Sequence, residues 1–209
     1  MNETLEQIPI EDNSLKIMPS FTEQASANRA HQLQSTYKAI RQHSEQICKP
    51  LKTEDYVVQP VADVSPPKWH LGHTTWFFET FILIPYSRDY KAFDPAFNFV
   101  FNSYYESVGA RVIRTDRGNL SRPTVDEIYQ YRRYVDEAME AFLNNELPKD
   151  IEAFIILGFN HEQQHQELLY TDIKYILGHN PLLPAYNDKG IEQITTENEN
   201  KWISIKEGV

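Results

Sequence analysis

Two histidines four residues apart give the stretch NHEQQHQELL, residues 160–169, its chemical interest. On an α-helix His161 and His165 lie on the same side, about 6 Å apart along the axis, where both can bind one metal ion. Two imidazoles on a buried stripe are costly unless something binds them. The spacing favours a metal site, and a pair of hydrogen-bonded core histidines is the alternative.

A third ligand is available in the segment KWHLGHTTWFFE, residues 68–79. His73 falls near the middle of the apolar arc of the helix predicted there, whereas His70 lies about 60° to one side of it. We therefore predict that His73 joins His161 and His165 as a metal ligand. We expect His70 either to line the same pocket or to have a surface or hydrogen-bonded role.

A zinc hydrolase is a remote alternative, because residues 161–165 also match the H-E-x-x-H signature. The extended zinc-protease motif needs a glycine and a third histidine where this chain has Leu168 and Thr171. Later glutamates that could replace the third ligand fall in a polar tail. Glu162 lies about 100° around the helix from His161, so it is expected to face solvent or a neighbouring helix.

Four long helices are predicted to position these side chains. The first covers about residues 28–48, the second 65–84, the third begins at a capping box of Thr124 and Glu127, and the fourth covers 150–177. With no strong period-2 segment, the pattern predicts an all-α four-helix bundle. The core-facing stripe predicted for the fourth helix contains Phe154, Leu157, Gly158, His161, His165, Leu168, Asp172 and Tyr175.

The segments outside these helices divide the chain further. Residues 1–25 lack periodicity and are expected to form a flexible arm, and residues 26–184 form the bundle. The long aromatic connection 85–122 is expected to pack across the bundle. Residues 185–209 begin as a polar linker and end in Trp202-Ile203-Ser204-Ile205, an alternation typical of a strand, so we expect this segment to be a linker and the start of a second domain.

The composition of the chain argues against two classes of partner and bears on its location. The 209 residues contain 20 basic and 30 acidic side chains, and a net charge of −10 disfavours nucleic acid and anionic membrane surfaces. The most apolar segment is too short to span a bilayer. A single cysteine, Cys48, and the lack of a signal-peptide pattern predict a cytoplasmic location.

Three segments together resemble the N-terminal DinB-like domain of the ergothioneine-type sulfoxide synthases, the EgtB family. They are SPPKWHLGHTTWFFETFIL, GNLSRPTVDEIYQYRRYVD and NHEQQHQELLYTDIKYILGHNP, and the similarity covers about residues 28–184. The resemblance implies non-heme Fe(II) bound by three histidines, which match His73, His161 and His165. It also implies an O2-dependent reaction that joins cysteine or γ-glutamylcysteine to hercynine, or a related reaction in which histidine is the acceptor.

The resemblance also implies residues that bind substrate. Arginines after the second helix hold the carboxylates of the thiol in this family, and Arg111 and Arg114 are the candidates by position; surface arginines that balance an acidic domain are the alternative. Asp172 lies on the metal-facing stripe, where it either orients a ligand imidazole or serves a separate buried polar contact.

A complete enzyme of this family continues into a formylglycine-generating-enzyme-like domain that supplies a catalytic tyrosine. We therefore expect the catalytic residues in that domain and expect residues 1–209 alone to hold metal without completing the reaction. A metal-binding bundle with no catalytic activity of its own is the second hypothesis.

Overall fold

A computed structural model of the chain describes residues 21–103, 109–145, 147, 150–187 and 204, with side chains from residue 28 onward. The fold is all-α, as predicted. Six α-helices lie in the described residues: α1 Phe21–Cys48, α2 Pro67–Phe78, α3 Ile84–Tyr86, α4 Ala96–Phe101, α5 Val125–Leu143 and α6 Ile151–His179. Short 3-10 helices cover Thr53–Val57 and Arg114–Asn119, and a π-helical segment covers Glu79–Leu83.

The predicted apolar stripes of α1 and α5 are confirmed. Helix α1 begins at Phe21, earlier than predicted, and α5 begins after Thr124, whose side chain accepts a hydrogen bond from the backbone N–H of Glu127. Amphipathic helices of this kind bury one face against the core. The buried stripe residues are Leu33, Tyr37, Ile40 and Ile47 of α1 and Ile128, Tyr131, Val135, Met139 and Phe142 of α5.

Helix α2 lies inside the bundle, packed against both α5 and α6. Every residue from Pro67 to Phe78 is buried, so the predicted apolar arc around His73 is too narrow. The helix continues through the π-helical segment, where the buried carboxylate of Glu79 accepts hydrogen bonds from the Tyr90 hydroxyl and the Phe93 backbone N–H. The central position of α2 brings its side chains within reach of two neighbouring helices.

The described parts of the connection from α3 to α5, residues 87–103 and 109–124, pack across the bundle, as predicted. Within it, α4 inserts Phe97 and Phe101 into the core next to Tyr131. The 3-10 helix Arg114–Asn119 then packs against the other 3-10 helix, Thr53–Val57. Helix α4 brings the Phe101 carbonyl close to α2, and the 3-10 helix Arg114–Asn119 brings the side chain of Arg117 close to it.

The core-facing stripe predicted for α6 is wrong at four positions. Its buried face is centred on residues such as Ile155, Glu162 and Ile173, about 100° around the axis from the predicted stripe. The displacement arises because a charged residue, Glu162, lies at the middle of the buried face, where a pattern based on polarity does not place it. The four exposed residues are Phe154, Leu157, Leu168 and Tyr175.

Other expectations concern the two ends of the chain. Part of the arm predicted for residues 1–25 is helical, since α1 begins at Phe21, and residues 1–20 lie outside the described residues. The strand predicted at Trp202-Ile203-Ser204-Ile205 also lies outside them, apart from Ser204. Among the described helices, none combines the length and the apolar character that crossing a bilayer requires.

Candidate metal centre

Three imidazole rings converge where α2 packs against α6. His73 comes from α2, and His161 and His165 come from successive turns of α6. The ring centroids are 4.9 Å apart for His73 and His161 and 4.7 Å apart for each of the other two pairs. One nitrogen of each ring lies within 4.8 Å of the other two nitrogens, so the structure brings the predicted ligand set together.

The nitrogen atoms of these rings fit a metal ion. The Nδ1 of His73 lies 2.6 Å from the Phe101 carbonyl oxygen, which only accepts, so Nδ1 carries the proton and Nε2 keeps its lone pair. The Nδ1 of His161 is buried and has no hydrogen-bond partner in the part of the chain that the structure describes. Two nitrogens bound to one ion at about 2.1 Å lie no more than about 4.2 Å apart, which is compatible with nitrogens that all lie within 4.8 Å of one another.

Burial keeps the three imidazoles in their neutral, metal-binding form. Desolvation lowers the pKa of His161 to about 4, and it lowers the pKa values of His73 and His165 well below the ordinary value for histidine. The neighbouring imidazoles lower the pKa values of His73 and His165 further. At neutral pH each ring therefore offers a lone pair, as metal binding requires.

A fourth histidine, His70, contacts this group through His165. His70 is buried on α2, with its Nδ1 2.8 Å from the Nδ1 of His165 and its Nε2 2.9 Å from Oδ2 of Asp172. Burial lowers the pKa of His70, although the Asp172 carboxylate partly offsets this effect. Besides lining the pocket, His70 was expected to have either a surface role or a hydrogen-bonded role. The structure supports the hydrogen-bonded role and excludes the surface role. Asp172 contacts a ligand imidazole only through His70.

An aromatic and cationic pair covers one side of the site. The indole of Trp69 stacks on the His73 ring, with centroids 4.5 Å apart and an angle of 14° between the planes. The guanidinium carbon of Arg117 lies 3.3 Å from the centre of the Trp69 ring, and its nitrogens donate to the hydroxyls of Ser65 and Ser103. This buried cation holds the indole ring against a ligand histidine.

The three histidines open into a cavity of about 470 Å³. Arg114 lies at its exposed rim and donates a hydrogen bond to the backbone carbonyl of Asp63. Arg111 is partly buried and is not among the residues that line this cavity. The lining residues are Asp63, Ser65, Trp69, His70, His73, Ser103, Arg114, Arg117, His161, Gln164, His165, Leu168 and Asp172.

Glu162 is fully buried on a different face of α6 from the histidines. Its Oε2 lies 2.9 Å from Nη1 of Arg41, and its Oε1 lies 3.2 Å from Nη2 of Arg132 and 2.7 Å from the Ser44 hydroxyl. Burial alone would raise the pKa of this carboxyl group, but the two arginines and the serine lower it to about 2. Glu162 therefore cannot act as the base that an H-E-x-x-H hydrolase requires, and it faces a neighbouring helix rather than solvent.

Sequence reasoning missed the roles of Trp69 and Arg117. Spacing could have indicated that Trp69 lies next to His73, four residues later on α2, and that Arg117 lies near Arg114, three residues earlier. The contact between Arg117 and Trp69 joins residues far apart in the sequence, so spacing could not have indicated it.

Comparison with known proteins adds a family-level similarity. The family described as the DinB superfamily matches residues 36–170, a span that includes all three histidines and Arg117. A search of curated proteins found no match to the chain.

Proposed function

We propose that this chain, a member of the DinB superfamily, is the Fe(II)-binding domain of an O2-dependent sulfoxide synthase that joins a thiol to hercynine. The observation that carries the proposal is the convergence of His73, His161 and His165 at the base of a cavity. The segment resemblance to ergothioneine-type enzymes supports the choice of metal and substrates.

The donor set suits a thiol substrate. Three neutral imidazoles leave the full +2 charge on the metal, whereas a carboxylate ligand would neutralise part of it. The bound iron would supply Lewis acidity and redox chemistry at positions not taken by protein ligands. An anionic thiolate is attracted to such a site, so the substrate class proposed is a thiol with carboxylate groups, cysteine or γ-glutamylcysteine.

The protein contributes orientation and charge to the reaction. In the proposed reaction the thiol, hercynine and O2 give one C–S bond, one S–O bond and one molecule of water; O2 is reduced and the sulfur and imidazole carbon are oxidised. Arg114, at the cavity rim, is the candidate for binding the carboxylate of the thiol through its planar guanidinium. A formylglycine-generating-enzyme-like domain completes the hercynine site in this proposal.

A metal-binding bundle without chemistry of its own is the second candidate. The observation that favours it is the lining of the cavity, which includes no tyrosine or cysteine among the residues described. Asp172, one of its two aspartates, is already hydrogen-bonded to Ser65 and His70. A bundle of this kind would bind the metal but would not respond to a thiol.

Anaerobic loading with Fe(II) followed by nitric oxide distinguishes the two candidates. We expect cysteine or γ-glutamylcysteine to change the EPR signal of the nitric oxide complex, because a thiolate bound to iron changes its electronic structure. Serine, which lacks the sulfur, is the matched control and should leave the signal unchanged. Equal responses to cysteine and serine would favour the bundle that does no chemistry.

The same signal tests the role of Arg114. Replacing it with glutamine removes the guanidinium, so we expect a several-fold higher cysteine concentration for half of the spectral change. Arg133→Gln, at an exposed position on α5, is the control for loss of one positive charge. Identical half-saturation for the two variants would remove Arg114 from the proposed thiol site.

A further inference from the structure

Between the Ser65 backbone and His165 runs a continuous line of hydrogen-bonding groups. The backbone N–H of Ser65 lies 2.9 Å from Oδ2 of Asp172, and the same oxygen lies 2.9 Å from Nε2 of His70. The other nitrogen of His70 lies 2.8 Å from Nδ1 of His165. All four residues are buried, so water does not compete freely for these contacts.

The chemistry of these groups fixes the direction of each hydrogen bond. A backbone N–H only donates and a carboxylate oxygen only accepts, so the Nε2 of His70 donates to Asp172. A neutral imidazole with one N–H has a lone pair on its other nitrogen, and the Nδ1 of His70 is therefore an acceptor. Nδ1 of His165 must then carry the proton, and its Nε2 keeps the lone pair.

We propose that Asp172 and His70 form a relay that fixes the tautomer and ring orientation of His165, so that its Nε2 binds the metal. This inference rests on the proposed metal site and assigns a positioning role to two residues that are not ligands. Hydrogen bonds of this kind orient metal-bound histidines and strengthen their donation to the metal.

The other two ligands differ from His165 in this respect. Nδ1 of His73 donates to a backbone carbonyl, and Nδ1 of His161 has no partner among the described residues. In the described part of the chain, His165 is the one member of the three that is joined to a carboxylate, through the ring of His70. Because His70 is on α2 and both Asp172 and His165 are on α6, the relay also ties the two metal-binding helices together.

Imidazole 15N NMR of the metal-free protein tests the tautomer directly. We expect His165 of the unaltered chain to be protonated at Nδ1, and we expect Asp172→Ala to shift it towards the Nε2-protonated form. His165 protonated mainly at Nε2 in the unaltered chain would overturn the proposal. This measurement needs no metal, so it separates failure of the relay from failure of the proposed function.

Titration with Co(II), followed by its visible absorption, tests the consequence for binding. We expect Asp172→Ala and His70→Phe each to weaken Co(II) binding by about 10- to 100-fold, and His70→Asn, which keeps an acceptor near His165, to weaken it less. Asp63→Ala removes a different cavity carboxylate and controls for charge. Losses no larger than that of Asp63→Ala would overturn the relay.

A double-variant cycle separates the relay from a general loss of structure. If Asp172 acts through His70, adding Asp172→Ala to His70→Phe causes little further loss of Co(II) affinity. Additive losses would mean that Asp172 acts independently and would contradict the relay. Ile128→Val, in the buried face of α5, shows how a core change at a residue outside the relay affects Co(II) affinity.

Discussion

At the scale of single residues, Glu162 and the histidines on the same turns of α6 have different surroundings. His161 and His165 border the cavity, while Glu162 lies at the centre of the buried face between Arg41 and Arg132. A buried carboxylate is tolerated only when opposite charges and hydrogen bonds replace its water. The H-E-x-x-H letters here therefore combine ligand candidates with a structural ion pair.

Replacing Glu162 with alanine should lower the free energy of unfolding by about 3 kcal/mol, because Arg41 and Arg132 would lose the buried carboxylate that they share and would be left with their more exposed partners, Asp136 and Glu45. Urea denaturation of the metal-free protein measures this change. Glu152→Ala removes the exposed partner of Arg29 and should leave the unfolding midpoint unchanged. Normal stability of the Glu162 variant would contradict the structural role assigned to these ion pairs.

At the scale of elements, close helix packing positions the ligands. A Cβ built on Gly158 of α6 would lie 2.6 Å from Cε1 of Phe78, and one built on Gly72 of α2 would lie 2.6 Å from Cδ1 of Phe101. Contacts this short cannot form without displacement of the neighbouring ring. The two glycines therefore let α2 approach α6 on one side and α4 on the other.

Gly72→Ala should disturb both stability and the metal site. The added methyl group pushes against Phe101, whose carbonyl accepts the hydrogen bond of His73. We expect the free energy of unfolding to fall by about 1–3 kcal/mol, with weaker Co(II) binding in the folded variant. Denaturation and metal titration measure the two effects.

Gly178→Ala is the matched control, because a Cβ at this helical position meets no atom within 4 Å. Here the substitution should raise stability by up to about 1 kcal/mol through helix propensity alone. Equal behaviour of the Gly72 and Gly178 variants would contradict the close approach of α4 to α2.

At the scale of the whole molecule, the candidate metal centre joins two helices that are far apart in sequence. His73 belongs to α2, and His161 and His165 belong to α6. The unfolded chain does not hold these three rings together, so an ion that binds the folded state stabilises the fold.

Saturating metal should therefore raise the melting temperature. At a free concentration 100 times the Kd the stabilisation is about 2.7 kcal/mol, which corresponds to roughly 5–10 °C for a chain of this size. Calorimetry of the metal-free and Co(II)-loaded protein measures it. His73→Ala should lose the increase and His31→Ala, at an exposed position, should keep it; the same increase in both variants would place the metal elsewhere.

The amino-acid sequence by itself determined the helical class, the stripes of α1 and α5 and the pairing of His161 with His165, and it predicted His73 as the third member of the group. These features depend on local periodicity: the cap at Thr124 and the four-residue spacing of His161 and His165 are properties of one helix. The resemblance of short segments to a known family added the expected metal and substrates, and the family match at residues 36–170 supports the coarser part of that expectation.

Only the tertiary structure decided which way α6 faces and what surrounds the ligands. Glu162 can be buried because Arg41 of α1 and Arg132 of α5 form ion pairs with it. His70 is hydrogen-bonded because Asp172 of α6 lies next to its Nε2. Hydrophobic periodicity assigns a charged residue to the surface, since it contains no information about a partner about 30 to 120 positions away that can neutralise the charge. Because Glu162 pairs with arginines that are distant in sequence, the buried face of α6 differs from the predicted one. The histidines therefore lie at the edge of the core, where they border the cavity.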